Sequence, residues 1–122
     1  MIESTLYSIL SSASAITALT AARIYPLVIP EGSPLPAINY SIIGGAVKPT
    51  NDTQGTIRLR WEVNCWGSTY SDAVTLRSAV VQSLDGYVGE GVNIQYLMPQ
   101  DLFDHELLQY RALAEFYVFA SV

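Results

Sequence analysis

One stretch of this 122-residue chain alternates strictly between apolar and polar side chains, and it lies between Gly55 and Gly67. The apolar set occupies every second position and consists of Ile57, Leu59, Trp61, Val63 and Cys65. The positions between them carry Arg58, Arg60, Glu62 and Asn64. Because successive side chains of a strand point to opposite faces, the pattern predicts a long strand with one face in the core and one face charged.

An amphipathic helix is predicted directly after this strand. Thr69 stands three residues before Asp72, which is the spacing of a variant capping box, and an acidic residue suits the positive end of the helix dipole. A buried stripe follows at helical spacing and consists of Ala73, Leu76, Val80 and Leu84. Gly86 then supplies the left-handed residue that commonly ends a helix.

The remaining elements have weaker signals. A helix is predicted over Met1–Ser12, and a short helical turn is predicted to begin at Ser14, with the Ser14 hydroxyl as its cap. Three more strands are predicted over Ala37–Ile43, Val92–Met98 and Tyr110–Ala120, with a bulge or bend at Gly44-Gly45. Loops are predicted over Pro26–Leu35, which is rich in proline, over Lys48–Gly55, and over Pro99–Leu107.

This order of elements predicts an α+β fold in a single domain that spans residues 1–122. The expected architecture is a four-stranded, mainly antiparallel sheet with two helices packed on one face. The other sheet face is expected to carry Arg58, Arg60, Glu62, Leu113, Tyr117 and Phe119. Mixed charged and aromatic side chains on an uncovered sheet face are typical of a protein interface, so this face is the predicted contact surface.

Charge and hydropathy narrow the classes of partner. The net charge is -5 and only six residues are Lys or Arg. Binding to nucleic acid needs clustered basic residues, so no direct binding to nucleic acid is expected. No apolar segment approaches the length of about 18 residues that spans a bilayer, so we expect a soluble protein without a secretory signal. Only 14% of the residues are charged, which indicates apolar surface that another chain covers.

The residue types of an active site are scarce. Cys65 is the single cysteine and belongs to the apolar side of the predicted strand, so a buried, unreactive thiol is expected. His105 is the single histidine and stands among Asp101, Asp104 and Glu106. This group is open to two interpretations, a metal site or an acidic turn, and the second is favoured because ligands from one loop do not form a fixed frame. No catalytic motif is recognisable, and neither an enzyme nor a cofactor is expected.

The loop predicted over Lys48–Gly55 also has two interpretations. It is longer than the ordinary hairpin loop of about 2–5 residues, and loops accept insertions cheaply, which favours a solvated spacer. The functional alternative is a segment that becomes ordered on a partner. On that alternative its polar residues join the predicted interface, which then comprises Lys48, Asn51, Asp52, Gln54, Arg58, Arg60, Glu62, Tyr117 and Phe119.

Several segments together resemble a known family. They are the N-terminal helix, Arg23-Ile24-Tyr25-Pro26-Leu27-Val28-Ile29-Pro30, Leu35-Pro36-Ala37-Ile38-Asn39-Tyr40, Val63-Asn64-Cys65-Trp66, Leu84-Asp85-Gly86, and Asp101-Leu102-Phe103-Asp104 through Tyr110-Arg111. In this order, over nearly the whole chain, they resemble the tail-completion or tail-terminator proteins of long-tailed bacteriophages and prophages. Gly86–Gly91 lies in a region where that family varies, and nothing is carried over from it.

The resemblance implies a non-enzymatic virion protein that acts in the phage tail and assembles in the host cytoplasm. It implies a ring of identical subunits, typically six, that caps the head-proximal end of the tail tube, ends its growth and joins it to the head connector. The expected partners are therefore further copies of this chain, the tail tube protein and a connector or neck protein. One alternative is a head-completion or connector subunit of the neck. The other is a small ligand-binding or metal-binding α+β domain that uses Asp101–Glu106.

Overall fold

The computed structural model describes residues 2–48, 56–89, 91–105 and 108–121. Its helices are α1 (Ile2–Ser12), α2 (Ser14–Thr20) and α3 (Tyr70–Leu84). Its strands are β1 (Ile24–Pro26), β2 (Ala37–Lys48), β3 (Thr56–Gly67), β4 (Val88–Gly89), β5 (Val92–Asp104) and β6 (Gln109–Ser121). The strands form one mixed sheet in the order β1-β2-β3-β6-β5-β4, in which β1 is parallel to β2 and the other neighbours are antiparallel.

The expectation of a four-stranded, mainly antiparallel sheet with two helices is therefore wrong for the described residues, which form six strands and three helices. The two strands that it omits are β1 and β4, which are only three and two residues long. Such short segments show no period of their own and are ordered by pairing with β2 and β5. The four long strands occupy the centre of the sheet, and all of them were predicted.

One face of the sheet packs against the helices. The core includes Leu6, Leu10 and Ile16 from α1 and α2, and the stripe of α3 predicted from the sequence, Ala73, Leu76, Val80 and Leu84, is fully buried. On β3, Trp61, Val63 and Cys65 are fully buried, as the alternating pattern predicts. The apolar side of the central strand is therefore confirmed as the core face.

A row of aromatic rings crosses this core face. It runs from Tyr7 on α1 through Tyr40, Trp61 and Phe116 to Tyr96 on β5, with successive ring centroids 6.5, 6.1, 6.1 and 5.6 Å apart. Trp61 and Phe116 are paired across β3 and β6 and lie at its centre. Aromatic side chains bury more area than any others, so this row holds the helix layer to four neighbouring strands.

The ends of α3 agree with the sequence signals. The Thr69 hydroxyl accepts a hydrogen bond from the backbone N–H of Asp72 at 3.1 Å, which confirms the predicted cap. The helix ends at Leu84, and Gly86 has a φ of +77°, in the region that glycine favours. Caps act within one turn of the chain, which is why sequence alone located both ends.

Ser14 is the first residue of α2, but it is not its cap. The N-cap position is Ala13, which makes no side-chain hydrogen bond. The helix is held instead by burial of Ile16 and by a hydrogen bond from the Thr20 hydroxyl to the Ile16 carbonyl at 3.1 Å. Packing rather than capping therefore fixes this short helix.

Two strands are longer than predicted. β2 continues past Gly44-Gly45 to Lys48, with a bulge between Ile42 and Gly44 in place of a bend that ends the strand. β5 continues to Asp104, so the predicted loop over Pro99–Leu107 is wrong for residues 99–104. A second bulge, between Tyr96 and Met98, stands just before Pro99. A proline is tolerated there because this part of β5 is a sheet edge next to a bulge.

Candidate interaction surface

The face of the sheet that points away from the helices is the outer face, and its centre is built by β3 and β6. The register pairs Arg58 with Phe119, Arg60 with Tyr117 and Glu62 with Glu115. Directly paired residues of antiparallel strands point to the same side, so the structure brings together Arg58, Arg60, Glu62, Tyr117 and Phe119 as the sequence predicts. Among the described residues no helix packs on this side.

Contacts between neighbouring side chains order the charged end of the outer face. The guanidinium carbon of Arg58 lies 4.9 Å from the centroid of the Tyr117 ring, and the Tyr117 and Phe119 rings are 6.1 Å apart. Arg60 donates a hydrogen bond to a Glu115 carboxylate oxygen at 2.5 Å. That hydrogen bond and the Glu115 charge raise the pKa of Arg60 above its ordinary value. These side chains are therefore held in one arrangement before any partner arrives.

Glu115 also lies on this surface, although the predicted set of contact residues did not include it. It lies directly opposite Glu62, and like charges in that position repel one another. The bridge from Arg60 offsets this repulsion. The outer face of β3 and β6 carries three Arg residues, at positions 58, 60 and 111, and two Glu residues, at positions 62 and 115. This face is therefore slightly positive, although the net charge of the chain is -5. Period-two spacing in the last strand predicts Glu115 on the same face as Tyr117, and the structure places it there.

The opposite end of the outer face is held by a chain of hydrogen bonds. The indole N–H of Trp66 donates to the Asn39 side-chain oxygen at 2.6 Å, and the Asn39 amide donates to the Leu27 carbonyl at 2.7 Å. The Arg111 guanidinium lies 5.5 Å from the centroid of the Trp66 ring. This network fixes the loop that follows β1 against the sheet. A groove of about 400 Å³ lies between them, lined by Leu27, Val28, Ile29, Asn39, Trp66 and others.

Two residues at the centre of the outer face are buried without a helix to cover them. Asn64 and its partner Leu113 are 3% and 4% exposed. The Asn64 side-chain oxygen makes no hydrogen bond within the described part of the chain. A buried oxygen without a donor is unfavourable, so the centre of this face retains an unmet hydrogen-bonding capacity.

Part of the predicted interface cannot be located. Asn51, Asp52 and Gln54 lie outside the described residues, together with the rest of the loop over residues 49–55. Lys48 is the last residue of β2 and is paired with Thr56, so it belongs to the strand rather than to the predicted loop. Residues 44–48 also extend the sheet alongside the charged end of the outer face.

The acidic segment around His105 has an internal structural role. The Asp101 carboxylate accepts hydrogen bonds from the Tyr70 hydroxyl, at 2.7 Å, and from Arg77. These two donors lower the pKa of Asp101. The His105 ring packs edge-on against Phe103, with centroids 4.9 Å apart. Within the described ranges no three His, Cys, Asp or Glu side chains are grouped so as to hold a metal ion.

Comparison with known proteins identifies the family. The model of the family described as tail completion protein gp17 matches residues 4–119. The chain belongs to this family. Membership confirms the resemblance drawn from the sequence and makes the protein a structural component of a phage tail. None of the helices among residues 2–48, 56–89, 91–105 and 108–121 has the length and apolarity to cross a membrane.

The fold has a counterpart among solved structures. A chain in the virion of a native gene transfer agent particle superposes with a TM-score of 0.71. The two sequences are 18% identical, and the alignment covers 96% of this chain and 92% of the other. At that identity the likeness concerns the fold, which the two chains share over nearly their whole length. No curated protein sequence matches the chain.

Proposed function

We propose that this tail-completion protein forms a ring at the head-proximal end of the phage tail tube, where it ends tube growth and joins the tail to the head. The role is structural and needs no catalysis. The family match over residues 4–119 is the observation that carries the proposal. The shared fold with a chain from the virion of a gene transfer agent particle supports it, because that chain is also part of a virion.

We assign the outer face as the surface that meets a tail or neck protein, with Arg58, Arg60, Glu62, Tyr117 and Phe119 as its contact residues. Arginine and aromatic side chains are enriched in protein interfaces, and here Arg58 and Arg60 are held in place by Tyr117 and Glu115. The slight positive charge of this face favours an acidic partner surface. Lys48 at the end of β2, and Asn51, Asp52 and Gln54 beyond the described residues, remain part of the proposed contact.

Tail assembly in the absence of the protein tests the proposal. Phage particles made without it are expected to contain tubes of uncontrolled length without heads, and electron microscopy measures both length and joining. Adding back the wild-type protein is expected to restore a single tail length. If the tubes have normal length but do not join heads, the protein instead acts as a head-completion or connector subunit of the neck. Normal, infectious particles would contradict both roles.

A further inference from the structure

The groove of about 400 Å³ lies at the end of the outer face where β3 ends and β6 begins. One wall is the loop after β1, which contributes Leu27, Val28 and Ile29. The other wall is the end of the sheet, which contributes Trp66 and Gln109. Clefts of this volume with mainly apolar walls are the usual places where proteins bind ligands.

The walls of the groove are held in place by hydrogen bonds within the chain. The indole N–H of Trp66 and the amide of Asn39 already have partners, and the backbone N–H of Leu27 donates to the Tyr40 carbonyl at 2.8 Å. Leu27 has a φ of +63°, in the left-handed region that a leucine rarely adopts. Strained backbone held in this way is typical of binding sites, and a preformed groove loses little entropy when a ligand enters.

The charge beside the groove differs between its two walls. The Arg111 guanidinium lies over the Trp66 ring, and in the part of the chain that the structure describes it has no carboxylate partner. Glu31 lines the loop wall and repels a second carboxylate there. An acidic group on a ligand is therefore attracted to the sheet wall, next to the apolar part of the groove.

We propose that the groove binds an extended segment of another tail or neck protein. This segment places an aliphatic side chain between the loop and Trp66, and a carboxylate on Arg111. The inference rests on the proposed function, because it extends the face that we assign to such a partner. Trp66 and Arg111 are paired across β3 and β6 and lie on that face. Continuity with the outer face and the unpaired Arg111 charge together favour a different, acidic protein segment over a second copy as the occupant.

Selection from a library of short random peptides tests the chemistry of the groove. Peptides that bind the wild-type chain are expected to share an aliphatic residue beside an acidic one. In nuclear magnetic resonance spectra, such a peptide is expected to shift the indole N–H signal of Trp66 and to leave that of the buried Trp61 unchanged. The proposal is overturned if no peptide is enriched, if the enriched peptides lack this pattern, or if the Trp66 signal does not move.

A pair of valine variants tests the apolar contact. Val28 and Val88 are 72% and 74% exposed, and they lie at opposite edges of the sheet. Val28→Asp is expected to weaken binding of the enriched peptide by about tenfold, because it places an unpaired charge in the apolar wall. Val88→Asp is the matched control and should leave binding unchanged. Equal effects of the two variants would overturn the proposal.

A pair of arginine variants tests the charged contact. The wild type is expected to prefer the enriched peptide about fivefold over an analogue in which Gln replaces the acidic residue, as for an exposed ion pair. Arg111→Gln should abolish this preference. Arg58→Gln, which alters the other arginine stacked on an aromatic ring of this face, is the matched control and should retain it. A preference that survives Arg111→Gln would contradict the assignment.

Tail assembly with Val28→Asp separates failure of this inference from failure of the proposed function. If Val28→Asp restores tail length and head joining as well as the wild type does, the groove assignment fails and the proposed function stands. If particles without the protein are normal, the proposed function fails, while peptide binding by the isolated chain is decided by the measurements above. If Val28→Asp instead separates copies of the chain in native mass spectrometry, a second copy occupies the groove and the proposal is overturned.

Discussion

Trp61 is the residue on which most of the core packing converges. It is fully buried and its ring lies 6.1 Å from both Tyr40 and Phe116. Its indole N–H makes no hydrogen bond within the described residues. The side chain therefore stabilises the fold through its size and shape, while its one polar atom opposes that effect.

Trp61 is expected to tolerate a smaller aromatic side chain far better than alanine. Trp61→Ala should lower the free energy of unfolding by about 3–5 kcal/mol, because it leaves a large cavity between β2 and β6. Trp61→Phe should cost clearly less, because it keeps most of the ring and removes the buried N–H. Urea denaturation of both variants measures the difference. Equal losses would show that the indole N–H has a partner in solution.

Cys65 is expected to be inert in the folded protein. Burial raises the pKa of its thiol, so the reactive thiolate is scarce at neutral pH, and the side chain is inaccessible to reagents. Labelling with a thiol reagent should therefore be slow in native buffer and fast in urea. Gln82→Cys in the same chain supplies an exposed thiol for comparison. Rapid native labelling of Cys65 would show that this side of β3 opens to solvent.

At the scale of elements, Asp101 connects the start of α3 to the free edge of β5. Its carboxylate accepts hydrogen bonds from Tyr70, the first residue of the helix, and from Arg77 two turns later. These bonds lower the pKa of Asp101, whereas the same contact raises the pKa of Tyr70. The charged form of Asp101 is therefore the form that the folded state prefers.

The stability of the protein should consequently fall on acidification. A carboxylate whose pKa is lowered by folding stabilises the native state above its unfolded pKa, near 3.8, and this stabilisation is lost as the pH falls through the lowered value. Asp101→Asn should be less stable than the wild type at pH 7 and nearly equal to it at the acid end. Thermal denaturation between pH 7 and pH 2 measures this difference. Glu31→Gln, in the exposed loop after β1, is the matched control.

The role of the Asp101 charge would be contradicted by one result. This result is a difference in thermal stability between wild type and Asp101→Asn that stays constant from pH 7 to pH 2. The side chain of Asp101 is 45% exposed, so solvent screens its interaction with Arg77 and the expected effect is modest. The helix itself remains held by Leu76, Val80 and Leu84 in the core.

At the scale of the whole molecule, the two faces of the sheet have different roles. One face packs on the helices and forms the core, whereas the outer face carries charged and aromatic side chains held by one another. Variants of the core face should therefore lower stability, and variants of the outer face should impair assembly.

Arg60→Ala is expected to impair tail completion while the subunit still folds and assembles with its own copies. The Arg60–Glu115 bridge lies on an exposed face, so its loss should leave thermal stability almost unchanged. It should disorder the surface around Tyr117, and it leaves Glu115 without its counter-charge. Complementation of a phage that lacks the gene, scored by particle yield, measures the effect. Gln82→Ala on the helix side is the matched control.

If Arg60→Ala complements as well as Gln82→Ala, the outer face makes no essential contact. If instead it unfolds the subunit, Arg60 serves the fold rather than assembly. Native mass spectrometry is expected to show the same assembly state for Arg60→Ala as for the wild type.

The sequence by itself determined the features that depend on local spacing. Alternation at period two located β3 and β6. It also assigned Trp61 to the core face and Arg60 to the outer face, since neighbouring side chains of a strand point to opposite faces. Thr69, Asp72 and Gly86 located both ends of α3, because caps act within one turn. The predicted members of the outer face, Arg58, Arg60, Glu62, Tyr117 and Phe119, are adjacent on it for the same reason.

Only the tertiary structure decided the features that depend on a distant partner. β1 and β4 are too short to show a period, and the stretch 99–104 is a strand because β6 pairs with it despite Pro99. The bridge between Arg60 and Glu115 joins residues 55 positions apart, and the register of β3 against β6 creates it. Local patterns report the backbone within a turn or a strand, whereas pairing between distant strands depends on how the whole sheet closes around its core.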